Sequence, residues 1–367
     1  MARLRKEIKE ISFSHEKQSQ PKNFPFRFED ANQRMERASK IKVPNMLFSE
    51  FIFESDLSVL FASAGVGKTI LGIQIADAIS RGESIAGFKN QAPPQKVLYL
   101  DLELSAKQFE SRYAEKVIVN DRPELRNSYK FHQNLKIASF QPYEIPKGDD
   151  AVDYLISSIK EMAEQHEIKI VFVDNITWLA SKGLEQSKDA GKLMKSLDTL
   201  KKENELTLIV LAHTPKKNKC ESVELRDLAG SAMVGNFIDS AFTINWSTYD
   251  SKCRYLKQVK CRFTEMVYDS HNVIAVQITN VKHNFVGIEQ IFDIEPDFFK
   301  EDFHLSKKVD ADTKIVTPEQ KENVKDEMKE IMNDNPSISN RELAHRTGVS
   351  HPTIAKYKTE LFNNNGQ

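Results

Sequence analysis

The first feature of the sequence with obvious chemical potential is a run of small residues that begins at position 62. The residues predicted to wrap a phosphate group are Ala62, Ser63, Ala64, Gly65, Val66, Gly67, Lys68, Thr69 and Ile70. Small residues let backbone N–H groups converge on phosphate oxygens, and the N-terminus of the following helix attracts the anion. The run follows an apolar stretch, Leu57–Ala62, and opens a periodic one, Lys68–Arg81, which is the context that a phosphate-binding loop requires.

Within this loop the residue types predict separate tasks. Lys68 would neutralise the β and γ phosphates of ATP, and Thr69 would be a ligand of Mg²⁺. Ala62 stands at the first position, where such loops carry glycine, and its small side chain still fits the turn. The competing interpretation is a helix that merely starts after a glycine-rich turn. The flanking apolar stretches favour the phosphate loop.

Two further apolar runs end in acidic residues. Residues 170–173 precede Asp174, and residues 97–102 include Asp101 and precede Glu103. Ligands bind at the carboxyl ends of parallel strands, so Asp174 is predicted to hold Mg²⁺ and Glu103 to activate the attacking water as general base. The alternatives are a loop-capping role for Asp174 and a supporting role or a ribose contact for Asp101.

A fourth apolar run, residues 208–212, ends in His213 and Thr214. An imidazole at this strand end would hydrogen-bond the γ-phosphate and report its loss to the following loop. A purely structural histidine is the alternative.

The elements that must position these residues alternate between strand-like and helix-like stretches from about 46 to 300. Strands are predicted at 57–62, 97–102, 168–173 and 206–212, then at 241–246, 254–261, 273–279 and 289–294, and helices at 68–81, 105–117, 151–165 and 189–204. Buried parallel strands form continuous apolar runs, and alternation with helices indicates βαβ units. We therefore predict an α/β fold with a mostly parallel central sheet, flanked by a polar arm (1–45), a linker (301–318) and a helical tail (319–367).

Composition narrows the class of protein. The 367 residues include 52 Lys and Arg against 53 Asp and Glu, a net charge of −1 that excludes a globally basic nucleic-acid coat. The arm is locally positive, with eleven Lys and Arg against six Asp and Glu through position 42, and either touches nucleic acid or is a solvated tail. The three cysteines indicate neither a disulfide scaffold nor a zinc site, and no apolar run would span a membrane. A cytoplasmic location is expected.

The tail has the pattern of a helix-turn-helix. Ser339 and Glu342 fit a capping box, and two short helices, 340–346 and 351–361, are predicted around a turn with Gly348. The second helix would meet a major groove through His351, Thr353 and Lys356. A module for protein contact is the alternative, because the tail holds seven Lys and Arg against eight Asp and Glu.

Several of these motifs occur in the order found in RecA-like P-loop ATPases. More narrowly, residues 45–295 resemble the RepA-type hexameric helicases of mobilisable plasmids and, next, the DnaB-type replicative helicases. The sequences that carry the resemblance are ASAGVGKT (62–69), VLYLDLEL (97–104), IVFVD (170–174), IVLAHTPK (209–216), LAGSAM (228–233) and YLKQVKCR (255–262). The chain departs from the DnaB type in having only the polar arm before the core, and from the minimal RepA type in having the tail.

The resemblance implies ATP hydrolysis with Mg²⁺ at the subunit interfaces of a ring, a hexamer, and it supports the roles of Glu103 and His213. In this family a Lys-x-Arg pair on a late strand reaches the γ-phosphate of the neighbouring subunit. Lys260 and Arg262 match that pair. The alternative is a basic exposed strand, because no acid is interspersed among Lys252, Arg254, Lys257, Lys260 and Arg262. An arginine supplied in this way is worth about 10³–10⁵ in rate.

The resemblance also implies loops that contact single-stranded DNA in a central channel, at 178–190 and 215–230. The second loop carries the cations Lys216, Lys217, Lys219 and Arg226. An exposed charged loop without DNA is the alternative. The implied function is a DNA-dependent ATPase and helicase of a plasmid or mobile element. The alternatives are an ATP-dependent regulator or recombination accessory that unwinds nothing, and an ATPase acting on a protein partner.

Overall fold

The computed structural model describes most of the chain outside its N-terminal residues and a few loops. The described residues are 27–139, 150–175, 187–215, 217–218, 221–228, 231–291, 296–305, 318–335, 338–347, 354, 357, 358 and 361. The chain divides into two units before Asn45, and each is described by itself. In the first unit, helix α1 (Ala31–Ser39) begins at a capping box, where the Asp30 side chain accepts a hydrogen bond from the Gln33 amide at 2.9 Å.

A large sheet forms the centre of the second unit. In chain order the described strands are β1 (Met46–Phe48), β2 (Ile52–Phe53), β3 (Leu57–Ala62), β4 (Val97–Asp101), β5 (Glu115–Val119), β6 (Arg122–Arg126), β7 (Leu135–Ser139), β8 (Ile170–Asp174), β9 (Thr207–His213), β10 (Ser240–Trp246), β11 (Cys253–Cys261), β12 (Ile274–Lys282) and β13 (Phe285–Gln290). The central sheet has the order β13-β12-β11-β10-β3-β9-β8-β4-β7. Strands from β10 to β7 run parallel, and β11, β12 and β13 pair antiparallel. The predicted α/β fold with a mostly parallel sheet is confirmed.

Helices cover both faces of this sheet. The described helices of the second unit are α2 (Lys68–Arg81), α3 (Ala106–Glu110), α4 (Ala151–His166), α5 (Ser187–Asn204), α6 (Ser231–Phe237), α7 (Glu301–Leu305), α8 (Pro318–Asp334) and α9 (Asn340–Thr347). Alternate residues of each strand enter two separate cores. Tyr99 joins Leu71 of α2 in one core, while Leu98 joins Ile159 of α4 and Leu197 of α5 in the other. The strands are buried on both faces, which explains their continuous apolar runs.

The prediction of one helix over residues 105–117 is wrong. The helix ends at Glu110, and the following residues form a hairpin of β5 and β6. Two features explain this outcome: the β-branched run 117–119 favours a strand, and Asn120 and Asp121 turn the chain with φ of 50° and 59°. The last strand begins and ends four residues earlier than the predicted range 289–294. It follows a turn at Asn284 (φ 54°) and ends at Gln290.

The prediction of a linker over residues 301–318 is wrong at its start. Its first five residues form helix α7, in which Glu301 and His304 are buried. The Lys257 ammonium of β11 is 2.7 Å from the Glu301 carboxylate and 2.7 Å from that of Glu224. Burial requires such pairing of charges, so this network holds α7 against the sheet.

The burial of two cations shows that most of β11 is not a solvated basic strand. Lys257 is 2% exposed and Arg254 is 5% exposed. The alternative of an exposed basic strand is therefore wrong for these two residues, although the end of the strand at Lys260 is only partly buried.

The described part of the tail has its own small core. Ser339 accepts a hydrogen bond from the Glu342 amide at 3.1 Å at the start of α9. The buried residues of this core are Met328, Ile338, Leu343, Ile354 and Tyr357. In the part of the chain that the structure describes, no helix is long and apolar enough to cross a membrane.

Candidate functional site

The loop between β3 and α2 has the backbone that an anion site needs. Gly65 and Gly67 have φ of 76° and 122°, in the region that favours glycine. A Cβ atom at Gly67 would lie 2.9 Å from the Ile278 side chain, so the position also lacks room for one. Val66, between the two glycines, is buried. The loop is thus a close-packed turn at the N-terminus of α2, where backbone N–H groups attract phosphate.

Lys68 and His213 meet beside this loop. Lys68 is 5% exposed, and its ammonium lies 3.0 Å from Nδ1 of His213, the last residue of β9. Burial lowers the pKa of Lys68, although the carboxylates of Asp174 and Glu103 oppose this. Burial and the Lys68 charge lower the pKa of His213. One phosphate group could therefore contact both side chains that the sequence predicts to bind it.

Asp174 ends β8 next to the loop. Its Oδ2 accepts a hydrogen bond from the Tyr99 hydroxyl at 2.7 Å, and Thr69 also hydrogen-bonds the carboxylate. Burial raises the pKa of Asp174 despite these bonds and the nearby Lys68 charge. Oδ1 is buried and has no hydrogen-bond partner among the described residues. A buried oxygen without a partner is costly, and a hard cation or its water would satisfy it.

These oxygens fit a magnesium ion that is shared with phosphate. Mg²⁺ usually takes one or two protein ligands, and waters and phosphate oxygens supply the others. Thr69 and Asp174 provide such a set. No cluster of three or more His, Cys, Asp or Glu side chains in the described residues could hold a metal by itself.

Glu103 lies past the end of β4 in a turn made by its neighbour. The Asp101 carboxylate accepts hydrogen bonds from the amides of Glu103 (3.1 Å) and Leu104 (2.8 Å), which gives Asp101 a structural task. The Glu103 side chain is half exposed, and its Oε2 lies 3.9 Å from Nε2 of His213. The structure therefore brings together Lys68, Thr69, Glu103, Asp174 and His213.

Asn175, which sequence reasoning missed, joins two of these residues. Its Nδ2 lies 2.6 Å from the Glu103 carboxylate and 3.0 Å from Nε2 of His213. Asn175 is 4% exposed. Its position directly after Asp174, at the end of a strand, could have indicated a site residue. A polar residue at such a position can serve many structural roles, so the sequence alone does not predict this one. The amide orients both the predicted base and the predicted phosphate contact.

We expect Asn175→Ala to lower the kcat of ATP hydrolysis roughly 10- to 100-fold, since a hydrogen bond to a charged group is worth about 1.5–3 kcal/mol. The KM for ATP should change little. Steady-state kinetics would check this, with Asn272→Ala, an exposed amide, as the control. A kcat equal to that of the control would exclude the positioning role.

Lys260 and Arg262 lie at the opposite end of the strands from the phosphate loop. Ser240 of β10 pairs with both Cys261 and Ser58, so this end of β11 lies beside the start of β3. The phosphate loop follows the other end of β3, about 16 Å away at 3.3 Å per residue. These two residues are thus not part of the site in their own subunit.

Both cations hold the end of α6. Lys260 donates to the carbonyl of Gly235, and Arg262 donates to that of Asn236 at 2.7 Å. The Arg262 guanidinium also pairs with Asp239 at 3.3 Å, and its side chain remains 48% exposed. It is fixed at the surface of the subunit yet accessible.

Asp56 lies near Asp239 and Arg262, and its carboxyl group has a raised pKa. Burial raises its pKa to about 7, the Asp239 carboxylate adds to the increase, and Lys201 and Arg262 oppose it. Burial also opposes the charge of Asp239, but hydrogen bonds from Lys201 and the Leu57 amide outweigh it and lower the Asp239 pKa. Asp239 is therefore the ionised member of the two.

A pH dependence of stability follows. The folded protein keeps the Asp56 proton between pH 4 and pH 7, where the unfolded chain has lost it, so the free energy of unfolding falls as pH rises through this window. Asp56→Asn should flatten that dependence and raise the free energy of unfolding at pH 8 by roughly 2–4 kcal/mol. Urea unfolding at pH 5 and pH 8 would measure it, with Asp121→Asn in the exposed hairpin turn as the control. Equal slopes for wild type and Asp56→Asn would contradict the assignment.

The residues predicted to bind DNA are placed only in part. Lys217 is engaged within its own loop, where it donates to Asp227 and, at 2.8 Å, to the carbonyl of Ser222. Arg226 is exposed in a short 3₁₀ turn. The remaining predicted contacts lie outside the described residues: Lys216, Lys219, His351, Thr353 and Lys356.

The glycine loop, its buried lysine and the acidic residues at the ends of the parallel strands define a P-loop ATPase. The AAA domain family matches residues 22–219, more than half of the sequence, and the chain belongs to this family. No curated protein sequence matches it significantly. Among solved structures, it is similar to a KaiC-like protein from the hyperthermophilic archaeon Pyrococcus horikoshii OT3 at 16% identity, with a TM-score of 0.44. That alignment covers 66% of this chain and 93% of the other.

Proposed function

We propose that the protein is a DNA-dependent ATPase that forms a hexameric ring and works as a helicase for a plasmid or mobile element. The observation that carries this proposal is the position of His213. It contacts Lys68 at 3.0 Å and the Asn175 amide at 3.0 Å, and it ends the strand from which the basic loop leaves. A change at the γ-phosphate would thus reach residues 215–230 through one side chain.

The chemistry proposed for the site is in-line attack of water on the γ-phosphate of ATP. Lys68 and the amides of the glycine loop hold the phosphates, and Glu103 accepts the proton of the attacking water. Mg²⁺, held by Thr69 and Asp174, would neutralise charge on the phosphate oxygens. His213 would contact the γ-phosphate, and Asn175 would hold both His213 and the Glu103 base in place through its hydrogen bonds. Arg262 of a neighbouring subunit supplies the remaining positive charge.

The DNA contact is proposed for the loop 215–230 in the centre of the ring. Lys216, Lys219 and Arg226 would follow the backbone of a single strand without reading its sequence. Binding of this kind weakens as salt rises, because cations bound to the phosphates are released.

The alternative is an ATP-dependent regulator or recombination accessory that binds duplex DNA and unwinds nothing. The small core of the tail, around Met328 and Leu343, and the capped start of α9 favour a separate helical module. Such a module would select a DNA site through the residues around His351.

Two measurements separate these proposals. A helicase should displace a strand from forked DNA with ATP and Mg²⁺, and particle images with an ATP analogue and single-stranded DNA should show closed rings of six subunits. Salt-sensitive, sequence-specific binding of duplex DNA without strand displacement would favour the regulator. ATP turnover unaffected by any DNA would count against both and favour a protein partner.

A further inference from the structure

Arg254 of β11 reaches the phosphate loop from behind. Its Nε donates a hydrogen bond to the carbonyl of Val66 at 3.2 Å, although the two residues are 188 positions apart. Its Nη1 donates to the carbonyls of Ser251 (2.8 Å) and Cys253 (2.7 Å). The guanidinium carbon lies 3.6 Å from the ring centroid of Trp246, so the planar group stacks on an aromatic face.

The geometry of a peptide bond gives this contact a consequence. The carbonyl of Val66 and the N–H of Gly67 belong to one planar trans peptide and point in opposite directions. Because Arg254 holds the carbonyl on the outside of the loop, the Gly67 N–H is directed to the inside, where phosphate binds. Gly65 and Gly67 have little conformational preference of their own, so an external anchor has the most effect here.

The buried charge of Arg254 also suggests a role at the phosphate loop. The side chain is buried, and its acceptors in these three bonds are uncharged carbonyls. Within the described ranges, no carboxylate lies close enough to form an ion pair with it, whereas the buried Lys257 on the same strand has two. The Asp250 carboxylate favours this charge only from beyond ion-pair distance. A buried cation without a paired carboxylate is costly, and an anion bound at the glycine loop, whose Val66 carbonyl Arg254 contacts, would offset part of that cost.

We infer that Arg254 is a positioning residue of the ATP site: it fixes the Val66–Gly67 peptide so that the loop is preformed for phosphate, and Trp246 holds its plane. The inference rests on the proposed ATP site and extends it to β11, a strand with no predicted contact to the nucleotide of its own subunit. Arg254 acts through the Val66 carbonyl and touches no reacting atom.

The test compares Arg254→Gln and Arg254→Lys with Lys252→Gln, an exposed cation two positions away. Calorimetry measures the Kd for a non-hydrolysable ATP analogue with Mg²⁺, kinetics measures kcat and KM separately, and thermal unfolding checks the fold. We expect Arg254→Gln to raise the Kd at least tenfold and to lower kcat/KM about 100-fold, as for other small misplacements of catalytic groups. Arg254→Lys keeps the charge but loses the planar hydrogen bond, and it should recover only part of this loss.

A second readout uses the fluorescence of Trp246, since the chain has only one other tryptophan, Trp178. In a Trp178→Phe protein, the ATP analogue should change the Trp246 emission, because phosphate at the loop alters the field around the stacked guanidinium. This measurement remains valid if Arg254→Gln fails to fold.

Two results would overturn the inference: a folded Arg254→Gln protein that binds the analogue within twofold of wild type, or a Trp246 emission that the analogue leaves unchanged. If wild type and Lys252→Gln both fail to bind the analogue, the ATP site itself is wrong, and the inference falls with it.

Discussion

Replacing Arg262 by alanine is expected to lower ATP turnover by about 10³- to 10⁵-fold while the Kd for ATP stays nearly the same. The side chain lies at the start of β3, whereas the phosphate loop follows its end, so Arg262 cannot touch the nucleotide of its own subunit. Its guanidinium is half exposed, and in the proposed ring it would act on the nucleotide of a neighbouring subunit. Lys68→Ala provides the comparison, because it should lose both turnover and tight binding of ATP.

Mixing the two variants tests the neighbour's role directly. A Lys68→Ala subunit still carries Arg262, and an Arg262→Ala subunit still carries an intact loop. If the arginine acts across the interface, mixed rings regain part of the turnover that neither variant has alone. Normal hydrolysis by Arg262→Ala, or no recovery on mixing of assembled rings, would show that the site is complete within one subunit.

The contacts of Arg262 in the isolated subunit add a cost to its use. It must leave or share the Asp239 carboxylate and the Asn236 carbonyl to meet a phosphate. Asn236 lies in the last turn of α6, so the exposed guanidinium is anchored to the C-terminal end of that helix.

The residues at the ends of the parallel strands were predictable from sequence for a simple reason. A run of apolar residues fixes the strand, and the first polar residue after it must lie at the carboxyl edge of the sheet. Asp174 and His213 follow this rule, Glu103 lies two residues past Asp101 at the end of β4, and the glycine run places Lys68 at the same ends of the strands. One-dimensional spacing is enough for such residues, since the fold brings the strand ends together whatever the details of packing.

Asn175, Arg254 and Lys257 could not be predicted in this way. Asn175 acts through contacts with residues 72 and 38 positions distant, and Arg254 through a loop 188 positions distant. Cations on a strand predict an exposed face by default. Their burial becomes favourable through tertiary partners, which are the Trp246 ring and backbone carbonyls for Arg254 and two carboxylates for Lys257. The polarity of a residue is thus not enough to predict its exposure to water; its tertiary partners must also be known.

Glu103→Gln is expected to lower the kcat of ATP hydrolysis by about 10²- to 10⁴-fold, the usual contribution of a general base. Glutamine has nearly the same shape, and its carbonyl can still accept the hydrogen bond that the Asn175 amide donates at 2.6 Å, so the local structure should persist. What is lost is the ability to take a proton from water. Binding of ATP, ring assembly and thermal stability should therefore remain close to those of wild type.

Single-turnover hydrolysis with ATP already bound measures this loss without interference from binding or product release. Glu110→Gln changes a partly exposed carboxylate at the end of α3 that pairs with Lys107; it is the control and should behave as wild type. A Glu103→Gln protein that hydrolyses bound ATP within tenfold of that control would remove Glu103 as the base. Water would then have to be activated by another group at this edge of the sheet, and the half-exposed position of Glu103 would serve only to orient Asn175 and His213.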